Sequence, residues 1–213
     1  MRLVIMGTPG AGKGTQAKLL AGRLGACHIS TGDMLRDAIR RGTPLGREAE
    51  RAVERGLLVS DDVVNGIVEE RLAAPDCRAG FLLDGFPRTL DQARALDALL
   101  RRRGEPLSAV ILISVPREEA IRRLAGRRVC GACGTMFHMA FDAAARSGRC
   151  DRCGGALVQR EDDREETIRH RMDVYGRETA PVLEHYRAAG LLREVDGTGT
   201  RDEVARRVAA AAE

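Results

Sequence analysis

Gly7-Thr-Pro-Gly-Ala-Gly12-Lys13 constrains this chain more than any other stretch. It has the spacing G-x-x-x-x-G-K, and it lies between an apolar run at residues 3–6 and a segment at 15–24 in which Ala17, Leu20, Ala21 and Leu24 recur at helical spacing. Strand, glycine-rich turn and helix in that order let backbone N–H groups curl inward around phosphate oxygens. The helix N-terminus adds its partial positive charge. Lys13 can neutralise a phosphate held there, and only Lys13 and Lys18 are lysines in a chain whose other basic residues are arginine. The residue after the lysine is Gly14, with the hydroxyl one place later at Thr15. That departs from the GTPase pattern, in which the hydroxyl ligates magnesium directly, and points to a nucleotide kinase.

The rest of the chain alternates short apolar runs with helical periodicity. Residues 27–29, 81–84, 109–115 and 191–195 read as further strands, and Gly25 as a helix stop. Ser60 is expected to cap a helix whose Val63, Val64, Ile67, Val68 and Leu72 form one face, with Asp61 and Asp62 favourable in its first turn. Thr89 opens a helix containing Ala93, Leu96 and Leu100; Pro116 opens another; residues 165–186 read as helix with a break near Pro181, and 202–212 as a last helix. Alternation of this kind predicts a parallel sheet covered on both faces, with ligands beyond the carboxyl ends of its strands. Residues 30–59 and 126–163 resist the pattern and read as insertions on a core of 1–29, 60–125 and 164–213.

Cys130-x-x-Cys133 and Cys150-x-x-Cys153 carry the spacing of a structural zinc site, in which four thiolates close the tetrahedron. Cys27 and Cys77 read as isolated and unliganded, and His138 as a surface or packing residue. The N-terminus lacks the flanks of a signal peptide and no apolar run is long enough for a membrane span, so a cytoplasmic, disulfide-free chain is expected. A formal charge of only +4 and 3% aromatic residues argue against a nucleic-acid-coating role.

At this point the chain closely resembles adenylate kinase, of the long bacterial type with a zinc-binding lid. The matching stretches are GTPGAGKGTQ at 7–16, STGDMLR at 30–36, GLLVSD at 56–61, LLDGFPRTLDQA at 82–93, AGRRVCGACG at 125–134, CDRCGG at 150–155, REDDREETIRHR at 160–171 and VDGTG at 195–199. They run along essentially the whole chain in one register. The resemblance implies a P-loop nucleoside monophosphate kinase fold, with a central parallel five-stranded sheet and two mobile inserts: an AMP-binding insert at 30–59 and a lid at 126–163. It also implies the reaction ATP + AMP ⇌ 2 ADP in a monomeric cytoplasmic enzyme using Mg2+ with ATP and a structural Zn2+.

Carried over residue by residue, Gly10, Ala11, Gly12, Lys13, Gly14, Thr15, Arg123, Arg127, Met136, Phe137 and Gly199 would meet ATP. Thr31, Arg36, Leu57, Leu58, Val59, Gly85, Phe86, Pro87, Arg88, Gln92, Arg160 and Arg171 would meet AMP, and Asp84 would hold magnesium through water. Lys13, Arg88, Arg127, Arg160 and Arg171 would form the catalytic set, because phosphoryl transfer needs in-line positioning and positive charge more than a protein nucleophile. Two readings stay open from the residues. Thr89-x-x-Gln92 is also a capping-box pattern, and Asp162 and Asp163 suit either lid closure or a helix N-terminus. The lid would bring its arginines over ATP and exclude water, a motion known of the family. The stretch between the cysteine pairs departs from many family lids in having Met136-Phe137 and no proline. Another nucleoside monophosphate kinase is the nearest alternative, and a zinc-ribbon nucleic-acid-binding ATPase a more distant one.

Overall fold

In the computed structural model, which describes residues 1–213, the five apolar runs form one wholly parallel sheet. Its first four strands are β1 (Arg2–Met6), β2 (Cys27–Ser30), β3 (Phe81–Asp84) and β4 (Ala109–Ser114). Three short strands follow in a separate sheet, β5 (Arg127–Cys130), β6 (Met136–His138) and β7 (Leu157–Val158), and β8 (Leu192–Asp196) completes the main one. The main order is β2-β3-β1-β4-β8, so β1 lies at the centre. In-register pairing of Ile5 with Asp84 and of Asp84 with Ser30 brings the carboxyl ends of three strands to one edge.

Ten helices accompany these strands. They are α1 (Lys13–Leu24), α2 (Thr31–Arg40), α3 (Pro44–Glu54), α4 (Asp61–Leu72), α5 (Leu90–Arg103), α6 (Arg117–Ala125), α7 (Ala143–Ser147), α8 (Glu165–Val174), α9 (Ala180–Ala188) and α10 (Arg201–Ala212). Because strand side chains alternate in direction, the sheet splits its apolar residues between two cores. Val4, Met6, Leu83, Val110 and Leu112 face one, packed with residues of α4, α5 and α9. Leu3, Ile5, Leu82, Ile111 and Ile113 face the other, packed with α1 and α10. Both faces are therefore dry, as a parallel sheet requires.

Three local expectations are corrected. Ser60 occupies the N-cap position of α4 but makes no side-chain capping bond. The break near Pro181 is a π turn at Tyr175–Thr179, after which Pro181 sits in the first turn of α9, where its missing N–H costs nothing. Cys27 and Cys77 are not isolated: they are joined as a disulfide, with Cα atoms 5.0 Å apart across 50 residues of sequence. Cys27 opens β2 opposite Phe81 of β3, and Cys77 lies in the 3₁₀ turn just before β3, so strand pairing brings together what the sequence separates.

The small sheet, order β6-β5-β7, is antiparallel and belongs to a stretch with no strand pattern legible in the sequence. Its interior is a separate cluster of Cys130, Phe137, Ala145 and Cys150. No helix is long and apolar enough to cross a membrane.

Candidate active site

The loop after β1 has the shape its glycines predict. Gly10 and Gly12 take φ of 86° and 90°, a region side chains rarely enter. A Cβ on Gly10 would lie 2.3 Å from the carbonyl oxygen of Ala120, so only glycine lets the loop pack on α6. Around Gly12 a Cβ would meet nothing within 4 Å, which leaves the mouth of the loop open. No side chain caps α1, which starts at Lys13, two residues before the expected start. The Lys13 ammonium donates to the carbonyl oxygens of Gly7 at 2.7 Å and Thr8 at 2.8 Å. Burial, with Arg88, Arg171 and Arg127 pressing in the same direction, pulls its pKa from 10.5 to about 7, although Asp84 opposes them.

Asp84 ends β3 with 7% of its surface exposed. Its Oδ2 is 3.6 Å from His28 Nε2 and would stand 3.3 Å from a Cβ at position 14. Gly14 thus has a local reason: a side chain there would press on the carboxylate. A buried carboxylate beside the phosphate loop fits a water-mediated magnesium site. Thr31 donates to the carbonyl oxygen of Gly85 at 2.9 Å, and Arg88 Nε donates to the same atom at 2.8 Å. Arg88 is deeply buried, and that burial lowers its pKa.

The arginines meet on two carboxylates. Arg127 makes a bidentate pair with Asp163 at 2.6 and 2.7 Å, and Arg160 one with Asp162 at 2.6 and 2.8 Å. Arg171 bridges the two, 3.0 Å from Asp162 Oδ2 and 3.3 Å from Asp163 Oδ1. Burial alone would raise the Asp162 pKa, but Arg171 and Arg160 outweigh it and hold it at about 2. Burial lowers Arg171 to about 10, with Arg127 and Arg160 adding to the fall. Arg36 is likewise lowered by burial and then by Arg160, and it donates to Asp33 Oδ1 at 2.6 Å. Asp162 and Asp163 lie just before α8 and also pair with Arg127, Arg160 and Arg171.

Two cavities open beside this cluster. One is lined by Thr31, Arg36, Leu57, Leu58, Val59 and Gln92, among others, and the second by Gly7, Lys13, Phe86, Pro87, Tyr175 and Thr179. They share Gly56, Leu58, Gly85, Arg88 and Arg171, so the two guanidiniums stand where the cavities meet. The Gln92 backbone N–H donates to Thr89 Oγ1, but its side-chain oxygen accepts from the Arg88 N–H instead of closing the reciprocal capping box.

The remaining expected contacts lie apart from these cavities. Arg123 donates to Glu119 at 2.8 Å and to the carbonyl oxygen of Gly197 at 3.1 Å, tying the loop that carries Gly199 to α6. Met136 and Phe137 alternate on β6. Met136 Cε comes within 3.6 Å of where a Gly14 side chain would begin, whereas Phe137 is buried in the small cluster of its own sheet. Phe137 thus packs within its own sheet, whereas Met136 faces the loop. His138 stacks on Phe141 with ring centres 4.7 Å apart, in keeping with a packing role.

All four sulfurs of Cys130, Cys133, Cys150 and Cys153 lie within 4.8 Å of one another. Sγ of Cys130 is 3.4 Å from that of Cys153, and Cys133 is 3.7 Å from Cys150. A zinc ion with bonds of about 2.3 Å has tetrahedral edges of about 3.8 Å, so the donor set fits zinc in kind and spacing. Two matching turns supply it: Gly134 N–H donates to Cys130 O and Gly154 N–H to Cys150 O, with both glycines at positive φ. Sequence reasoning gave no site role to His28 or Asp61. His28 carries no spacing signal, and Asp61 reads as ordinary helix N-terminal charge.

A family model described as adenylate kinase matches residues 5–191. The chain is 58% identical over 198 residues to the adenylate kinase of Moorella thermoacetica, covering 93% of this chain and 91% of that protein. It is 55% identical over 197 residues to that of Syntrophotalea carbinolica, covering 92% and 91%, and 53% identical over 204 residues to that of Carboxydothermus hydrogenoformans, covering 96% and 95%. Matches of this depth along the whole register, on a chain with this loop, sheet and cysteine set, make it a member of the adenylate kinase family.

Proposed function

We propose that the protein catalyses reversible phosphoryl transfer between ATP and AMP, giving two ADP. The observation that carries this reading is the junction of the two cavities at Arg88 and Arg171. A donor phosphate cradled by the loop at 7–13 and an acceptor phosphate gripped by Arg36 and Arg88 would meet there, in line, with Lys13 and Arg171 beside them. Arginine suits both grips because its planar fork matches phosphate oxygens two at a time. As the moving group passes, its charge spreads over oxygens that Lys13, Arg88, Arg127, Arg160 and Arg171 would surround. Magnesium, when bound with ATP, would neutralise phosphate charge, and Asp84 would hold it through its water shell.

Residues 30–59 would form the AMP-binding insert and 126–163 the lid, with the core from 1–29, 60–125 and 164–213. Leu57, Leu58 and Val59 would flank the adenine of AMP and Gln92 would read its edge. Arg123, Met136 and the backbone at Gly199 would serve ATP. Zinc at the four cysteines would make the lid a rigid flap, leaving motion to its ends. We place the enzyme in the cytoplasm, as a monomer. No observation favours the nucleic-acid ATPase reading.

The test is phosphoryl transfer from Mg-ATP to AMP, GMP, CMP and UMP in parallel, with water as the blank. Rapid ADP formation with AMP alone is expected. Hydrolysis independent of any monophosphate would sink the kinase reading. R88M should lower transfer by about 100-fold or more while leaving ATP affinity within a few-fold, because it removes a positioning charge from the acceptor side.

A further inference from the structure

We propose that Asp61 sets the base specificity of the monophosphate pocket by locking the Gln92 amide in one of its two orientations. The inference rests on the reading of that pocket as the AMP site. Gln92 lines the pocket, and only 1% of its surface is exposed. Its Nε2 donates to Asp61 Oδ1 at 2.7 Å, and its Oε1 accepts from the Arg88 backbone N–H at 2.7 Å. The other carboxylate oxygen, Asp61 Oδ2, accepts from the Thr89 hydroxyl at 2.6 Å, which pins the carboxylate itself.

A primary amide is nearly symmetric in shape, so a half-turn exchanges its donor for its acceptor without moving other atoms. Here the half-turn is penalised at both ends. An ionised carboxylate only accepts, so the flipped amide would set oxygen against oxygen at Asp61 and N–H against N–H at Arg88. Two bonds, one of them charge-assisted, would give way to two repulsive contacts.

What the lock leaves free is one N–H on Nε2 and one lone pair on Oε1, in fixed order. With ring position 1 beside Nε2 and the C6 substituent beside Oε1, the pose the proposal requires, that order matches a purine with an acceptor at N1 and an amino donor at C6. It opposes a purine with N1–H and a C6 carbonyl, such as hypoxanthine or guanine. In a buried pocket the mismatch leaves polar groups unpaired, which is the source of strong discrimination between isosteric ligands. An unlocked glutamine would turn and serve either edge. The competing role for Asp61, a structural tie between the start of α4 and the start of α5, would weaken every substrate alike.

The experiment measures kcat/KM for AMP and for IMP on the same preparation of the wild type, D61N and D61A. An asparagine can offer either an oxygen or an NH2 to Gln92, and an alanine leaves room for water, which does both. In each variant the AMP:IMP ratio is expected to fall roughly tenfold, the worth of one charge-assisted bond. The ratio is internal to each preparation, so partial unfolding does not disturb it. A ratio within twofold of the wild type, with both substrates weakened together, would overturn the proposal. Q92L separates the two layers: if it leaves the ratio unchanged, the assignment of Gln92 to the base fails. If Q92L collapses the ratio and the Asp61 variants do not, only the lock fails.

Discussion

Two excursions leave the main sheet, and they are held by different means. Between β2 and α4, helices α2 and α3 pack so closely that a Cβ on Gly46 would lie 2.1 Å from the carbonyl oxygen of Ala38. Leu35, Ala49 and Val59 from this stretch join the main apolar cluster, together with Phe81, Leu83 and Tyr186. The stretch from β5 to β7 shares no such cluster and has for its interior only Cys130, Phe137, Ala145 and Cys150, two of them from the four-cysteine group. An excursion that borrows the core of the domain is stabilised by that core. One that stands off from it must carry its own cross-link, and a structural zinc can supply about 10–16 kcal/mol where apolar burial cannot.

Metal removal should therefore divide the molecule. After zinc is removed with a strong chelator and magnesium is restored in excess, or in C130A/C150A, phosphoryl transfer is expected to fall by about 100-fold or more, since Arg127 and Arg160 lose their positions. Hydrogen exchange should accelerate across 127–158 while β1, β3 and β4 stay protected, and the main thermal transition should persist. Protection of the lid without metal would show that its small cluster suffices, and the contrast with the other excursion would collapse.

G46A should do the reverse. The added methyl group meets backbone, which cannot swing aside, so α2 and α3 must separate at a cost of about 1–3 kcal/mol. Because this excursion is continuous with the main core, Tm should drop by about 3–10 °C. The KM for AMP should rise several-fold, with ATP affinity and zinc content unchanged. A normal Tm with a raised KM would mean that the stretch moves independently of the core it touches.

The same contrast governs what could be read from the sequence. The sheet was legible because each strand is an apolar run bounded by glycine, proline or a polar turn, and the loop at 7–13 because its chemistry needs residue types at fixed spacing. The cysteine pairs were legible for the same reason. The packing of Phe137 was not legible, since period-two alternation on β6 matters only once β6 is recognised, and a three-residue strand among Cys, Gly and His has no pattern to announce it. Cys27 and Cys77 were misread because strand pairing joins residues 50 apart. Asp61 was seen only as a helix N-terminal charge, because its partner Gln92 lies 31 residues on and approaches from a different helix. Contacts made within one element leave a trace in the sequence; those made between elements leave almost none.

Both excursions close on cations of the core, and these differ in which can lose a proton, which gives the smallest of the expected effects. Burial brings Lys13 to about 7, whereas Arg171, packed among Arg127, Arg160 and Asp162, falls only to about 10. Between pH 7 and 9 only Lys13 of the two titrates. In the free protein Lys13 is half neutral at about pH 7; bound phosphates restore its proton, so nucleotide binding above pH 7 takes one up. With magnesium saturating, Mg-ATP affinity should weaken about fivefold from pH 7 to 8, as the protonated fraction of Lys13 falls. Calorimetry in buffers of different ionisation enthalpy should register uptake of nearly one proton at pH 8, and K13M should abolish it. The sign reverses for stability: the unfolded chain holds this proton up to its ordinary value of 10.5, so the free protein gains stability as pH rises from about 7 towards that value. Proton uptake that survives in K13M would move the titrating group out of the phosphate loop and onto the arginine side.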